Sequence, residues 1–336
     1  MPIRYTRRGA MSALALALAL ALPLALLALG TPWMASSASA APITRLVVAF
    51  PAGGPADTLA RSLSRQLEAE LKQTVVVENR PGANGAIAIN AVAKAPTDGS
   101  VLFLTSAGAI VINPALYPNL PYDPQKDLTP ISLVVNTPEV LVVKPDDTIA
   151  NAAAFVKRAQ AAGKPPSLAS TGIGSMPHMT IELFKAATHV NFLHVAYKGA
   201  APAITDTLGG QVDGFFGDTS GLMTYITSKR LRPIGVAAPK RLPFLPDVPT
   251  LAEQGIANVE ASNWYGLMAP AGTAPDVVKR VNDALRRTLA APEVRKNLDQ
   301  LGLEPAAGTP AEFSAIIRAD TARWAKVIKS QNIRGE

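Results

Sequence analysis

Two glycine-rich segments hold the residues best suited to chemistry. The first, FPAGGPADTLAR, runs from Phe50 to Arg61 and leads from a β-branched run into a helical pattern. Gly53 and Gly54 can take positive φ and let a small molecule approach the backbone closely. Pro55 and Ala56 stand where the helix begins. Unpaired N–H groups of that first turn, with the helix dipole, favour an anion, so a carboxylate needs no arginine there. Asp57 is suited to accept backbone N–H bonds and brace the turn. Taken alone, this composition favours an ordinary tight turn without a ligand.

The second segment, ASTGIGSMPHM from Ala169 to Met179, repeats the strand–turn–helix layout. Thr171 and Ser175 offer hydroxyls, and Gly172 and Gly174 expose backbone N–H groups. Pro177 fits the first helical position. His178 falls in the first turn, where the dipole disfavours a protonated ring; a neutral hydrogen-bonding or packing role is favoured over a catalytic base. Two such turns could grip the two ends of a dicarboxylate. Further polar groups close other strands. Thr105-Ser106-Ala107-Gly108 reads equally as a ligand site or as turn chemistry. In Gly217-Asp218-Thr219, Asp218 either bonds a ligand donor or, the favoured reading, caps the next helix.

Other chemistries find little support. GxGxxG, a Walker lysine and the GxSxG elbow are absent, and His178, His189 and His194 lack metal-ligand spacing. A serine with a His–Asp partner is the one catalytic alternative left open. The chain has no cysteine, which excludes disulfides and thiolate chemistry. No basic cluster interleaves with aromatics, so nucleic acid is not an expected partner. No cofactor or metal is expected.

The elements that must position these turns alternate. Strand patterns at Ile43–Phe50, Thr74–Glu78 and Val101–Thr105 alternate with helical ones at Ala56–Lys72 and Gly85–Ala95. A second series follows: strands at Val140–Val143, Ser167–Ser170, Phe192–Val195, Gly214–Phe216 and Arg232–Ala237, and helices at Ile149–Ala161, Pro177–Ala186, Ala200–Leu208 and Thr219–Ser228. A short helix at Leu251–Gln254, a strand at Trp264–Ala269 and helices at Pro275–Ala290 and Pro310–Ser330 close the chain. Two α/β series predict two lobes facing across a cleft, with ligands at the carboxyl ends of the strands. Arg4, Arg7 and Arg8, an apolar run from about Met11 to Leu29 and small residues ending in Ala38-Ser39-Ala40 read as a secretory signal cut before Ala41. A retained anchor is the alternative. Loss of those three arginines takes the formal charge from +7 to +4. The full chain is 48% hydrophobic and 17% charged, and its mature part is expected to be a soluble periplasmic protein rather than a disordered one.

At these residues a resemblance becomes specific. FPAGGPADTLAR, ENRPGANG (Glu78–Gly85), PALYPNLPYDPQKDLTPIS (Pro114–Ser132), STGIGSMPHMTIELF (Ser170–Phe184), YKGAAPAITDTLGGQVD (Tyr197–Asp213), LPDVPTLAEQG (Leu245–Gly255) and WYGLMAPAGT (Trp264–Thr273) occur in order. The chain resembles the Bug family, substrate-binding subunits of tripartite tricarboxylate transporters. The resemblance implies a type II periplasmic binding fold: two α/β lobes around a ligand cleft, joined by two crossover strands at Val140–Val143 and Trp264–Ala269. Lobe one would be residues 43–138 plus 268–336, lobe two residues 139–267. It implies a carboxylate held by backbone N–H groups of Pro51–Asp57, with Thr171–His178 at the ligand's other end. Asn84, Thr97, Ala196 and Ala274 depart from the family pattern. Of these, Asn84 lies near the expected cleft, where its amide offers a ligand contact.

The expected ligand-binding set is therefore Phe50, Gly53, Gly54, Pro55, Ala56, Asp57, Asn84, Ser106, Ala107, Thr171, Gly174, Ser175, His178 and Asp218. The expected function is capture of a di- or tricarboxylate or aromatic acid for a tripartite transporter by a monomeric binding protein, not an enzyme. A receptor presenting its ligand to a sensor kinase is the first alternative, and a secreted hydrolase using Ser175 and His178 a remote one.

Overall fold

The computed structural model describes residues 42–146 and 148–335; the expected signal segment lies outside them. Strand β1 (Ile43–Val48) pairs in parallel with β2 (Thr74–Asn79) and β3 (Val101–Ser106). Helix α1 (Pro55–Leu71) joins β1 to β2, and α2 (Ala86–Val92) precedes β3. In α1, Leu59, Leu63, Leu67 and Leu71 recur every fourth residue and are all buried, so one stripe seals the sheet face. Pro55 starts the helix without losing a bond, and Lys72 ends it in the left-handed conformation at φ 55.

Strand β4 (Leu128–Val143) is sixteen residues long and serves both halves of the sheet. The sequence reading placed a strand only at Val140–Val143; prolines such as Pro130 and Pro138 are rare inside paired strands. The structure accommodates Pro130 where the register with the neighbouring strand shifts, and Pro138 where that pairing ends. Glu139–Val142 then pair with β7 (Gly214–Asp218), and Val140–Val143 with β8 (Arg232–Val236). The second half continues from β7 to β5 (Ser167–Ser170) and β6 (Leu193–Ala196), all parallel. Its helices are α3 (Ala152–Ala161), α4 (Met176–Thr188), α5 (Ala200–Gly209) and α6 (Thr219–Thr227).

Strand β9 (Ser262–Pro270) returns to the first half, antiparallel to both β3 and β4. Trp264–Leu267, expected with lobe two, thus make their sheet bonds in the first half. The chain ends with α7 (Pro275–Ala290), α8 (Pro292–Gln300), the two-residue β10 (Glu304–Pro305) on β4, and α9 (Pro310–Ser330). Helix α9 starts from a reciprocal capping box between Thr309 and Glu312 and buries Trp324. This is a mixed α/β fold of the periplasmic binding type, with β4 and the chain entering β9 crossing between its halves.

Candidate functional site

The turn after β1 is built from within. Gly53 has φ +76, which glycine adopts without strain, whereas Gly54 is extended at φ −83. The Gly53 N–H donates to Asp57 Oδ2 at 2.9 Å. Arg61 Nε donates to both carboxylate oxygens, and Asn79 Nδ2 donates to Asp57 Oδ1 at 3.0 Å and to the Phe50 carbonyl at 3.1 Å. Burial alone would raise the Asp57 carboxyl; the donors from Arg61, Gly53 and Asn79 outweigh it and hold the group below its ordinary value. Asp57 thus locks the turn from behind. Ala56 N–H and Asp57 N–H find no acceptor among the described residues. These are the free donors of a helix start that has no side-chain cap.

The turn after β5 uses the same device with a different residue. Gly174, at φ +76, donates its N–H to His178 Nδ1 at 3.2 Å, again four residues ahead. Ser175 caps α4 by accepting from the His178 backbone N–H, and its own hydroxyl donates to the Gly172 carbonyl at 2.6 Å. His178 is 5% exposed and stacks on His194 at 4.1 Å between ring centres. Burial, the neighbouring His194 and Lys185 depress it to about 3, so the ring is neutral and can accept at Nδ1. His194 is likewise lowered, to about 4, and its Nε2 lies 2.6 Å from Ser170 Oγ. Ser175 Oγ makes no bond to the His178 ring, so these two residues form no nucleophile–base pair.

Both turns open onto one cleft of ≈ 580 Å³, counting space open to solvent. Of the expected residues, Phe50, Gly54, Pro55, Ala56, Asn84, Ser106, Thr171, Ser175 and Asp218 line it. Gly53 is exposed on the first turn, while Asp57, Gly174, His178 and Ala107 are buried; none of these five lines the cleft. Asn84 has spent both amide hydrogens, on Asn113 Oδ1 at 2.9 Å and on the Gly174 carbonyl at 2.8 Å. Instead of a free amide for a ligand, it supplies a tie from the first turn region to the second.

Several lining residues were not foreseen. Lys198, Gly199, Ala200, Ala201 and Pro202 form a wall at the start of α5, and Asn263 and Tyr265 of β9 form the floor. Helix α5 begins at Gly199, at φ +112, with no side-chain cap; the Lys-Gly-Ala run was visible as a helix start but not weighed as a third turn. Asn263 and Tyr265 gave no local signal. Their place follows from pairing: Ser106 stands opposite Tyr265, and Asp218 opposite Glu139. Lys198 is the one cationic side chain among the described residues lining the cleft.

Asp218 does not cap α6: it occupies the cap position without a side-chain bond to the helix. Its carboxylate takes Asn263 Nδ2 at 3.2 Å and the Tyr265 hydroxyl. Behind it Glu139 is fully buried, and neither of its oxygens has a hydrogen-bond partner among the described residues. Burial and the adjacent Asp218 charge push Glu139 well above the carboxylate range, so it holds its proton. Burial also raises Asp218, against the hydrogen bonds from Tyr265 and Asn263, which favour its charged form.

Comparison with known proteins identifies the family. The protein-family model for the tripartite tricarboxylate transporter family receptor matches residues 59–333. Protein BugT of Bordetella pertussis is 34% identical over 302 residues, covering 90% of this chain and 92% of BugT. The structure of the periplasmic binding protein BugD superposes with a TM-score of 0.82 at 36% identity, covering 87% of this chain and 98% of BugD. Rpa4515 of R. palustris, solved with adipate, gives 0.84 at 32% identity, with 87% and 98% covered. The chain therefore belongs to the tripartite tricarboxylate transporter receptor family, the Bug-type periplasmic solute-binding proteins, which are receptors and not enzymes.

Proposed function

We propose that this chain captures a small organic carboxylate in the cleft between its two half-sheets and delivers it to the membrane subunits of a tripartite tricarboxylate transporter. The observation that carries the reading is the free N–H pair of Ala56 and Asp57, at a helix start that the Asp57 carboxylate braces and whose residues Gly54, Pro55 and Ala56 line the cleft. Such donors hold an anion at fixed geometry without a counter-charge. The adipate in Rpa4515 is a ligand of the same chemical kind. Residues 1–40 are the export signal in this reading, and the mature protein works in the periplasm as a monomer. Phe50, Gly54, Pro55, Ala56, Asn84, Ser106, Thr171, Ser175 and Asp218 face the ligand, while Gly53, Ala107, Asp57, Gly174 and His178 support them.

The lobes part where β4 exchanges β9 for β7 and β8, at Pro138/Glu139, and again near the start of β9. Closure about these two crossings traps the ligand between the turns. Calorimetric titration of ligand-stripped protein with mono-, di- and tricarboxylates tests the reading. Saturable binding of at least one acid is expected. A folded sample that binds none overturns it. Co-purification of the membrane subunits with the loaded receptor tests the transporter assignment.

A further inference from the structure

We propose that the ligand of this cleft is a monocarboxylate whose far end carries a hydrogen-bond donor, a hydroxyl above all, and that Asp218 selects it. The inference rests on the carboxylate reading above and narrows it. Asp218 closes β7 at the cleft floor and is 8% exposed. Free of any capping bond to α6, its carboxylate is held by Asn263 and Tyr265. Those two are the amide and the phenol through which the floor would receive a second carboxylate. Asn263 Nδ2 donates to Oδ1 at 3.2 Å and to Oδ2 at 3.4 Å, and the Tyr265 hydroxyl donates to Oδ2, so both residues are turned toward Asp218. Asn84 donates to Asn113 and Gly174. Ser106 lines the cleft, and its hydroxyl, which accepts as readily as it donates, has no hydrogen-bond partner among the described residues.

The charge at the floor follows from the same contacts. Glu139 and Asp218 face each other in strand register, and two adjacent buried carboxyls do not both ionise. The Asn263 amide and the Tyr265 hydroxyl both donate to Asp218 and neither to Glu139, which favours the charge on Asp218. A ligand reaching the floor meets an anionic acceptor. A second carboxylate is repelled there. A plain hydrocarbon end strips Asp218 of water and returns nothing. A hydroxyl makes a charge-assisted hydrogen bond. Much of the cleft lining is apolar, with Phe50, Pro55, Met176, Pro177 and Pro202, which suits a carbon skeleton.

The test is calorimetric titration of the purified protein with matched triplets. These are butyrate, γ-hydroxybutyrate and succinate; hexanoate, ω-hydroxyhexanoate and adipate; and benzoate, para-hydroxybenzoate and terephthalate. In the best-fitting skeleton the hydroxy acid should bind about tenfold or more tightly than both the plain acid and the diacid. Asp218→Asn should bring the three affinities together, with the diacid gaining most. Diacid binding equal to or tighter than the hydroxy acid in the unaltered protein overturns this inference and leaves the carboxylate reading standing. So does an affinity ratio that Asp218→Asn does not move. Absence of saturation by every acid overturns both. Should Asp218→Asn fail to fold, the ratios in the unaltered protein decide.

Discussion

Asp57 and His178 do one job with different chemistry. Each lies four residues beyond a left-handed glycine and accepts that glycine's N–H, so the turn keeps its shape with no ligand contact from the brace itself. Asp57→Ala should strand the Gly53 N–H and release Arg61 and Asn79. Calorimetry should show affinity falling about tenfold and denaturation a loss of about 1–3 kcal/mol. His178 and His194 set a pH dependence. Their folded values, about 3 and about 4, lie below the ordinary 6.5. The unfolded chain therefore binds more protons, and stability present above 6.5 is lost progressively as pH falls toward those folded values. Denaturant midpoints should drop across that interval, and the double variant His178→Gln/His194→Gln should show a shallower drop. An unchanged slope would mean that other groups carry it.

The turns function only because regular elements hold them. Helix α1 buries its leucine stripe against the sheet, which fixes where its free N–H groups stand. Leu63→Ala should cost about 2–5 kcal/mol and show as a lowered denaturation midpoint. Gly54 separates shape from function. Its φ of −83 admits a side chain, and an added Cβ would meet the Pro51 carbonyl at 3.2 Å, tight but not forbidding. Gly54→Val should therefore fold while binding is lost, because its methyl groups occupy the approach to the anion-binding N–H groups. Retained affinity in a folded Gly54→Val variant would place the carboxylate elsewhere.

Across the molecule, Asn84 joins the two halves. It is left-handed at φ 45, and its amide donates to Asn113 on its own side and to the Gly174 carbonyl ninety residues away. Asn84→Ala should remove a bond that belongs to the closed cleft. Stopped-flow release of a bound carboxylate should then be faster by about three- to tenfold, from one neutral hydrogen bond, with association little changed.

The local plan was legible in the sequence. Helix starts, glycine turns and the four-residue leucine spacing depend on neighbours along the chain, so FPAGGPADTLAR and ASTGIGSMPHM announced both turns, and Asp57 its bracing role. Strand β4 was half hidden, because prolines that stop most strands are accommodated where its pairing shifts or ends. Asp218 read as a cap because a cap is the local use of an aspartate before a helix. Only the tertiary structure decided otherwise: sheet register brings Glu139, Asn263 and Tyr265 against it from strands distant in the chain. The sequence by itself determined where the uncapped helix start and its free N–H groups stand, since one short segment makes them. Which groups surround Asp218 in the cleft was decided by which strands lie side by side, and long-range pairing leaves no mark on the spacing of any one segment.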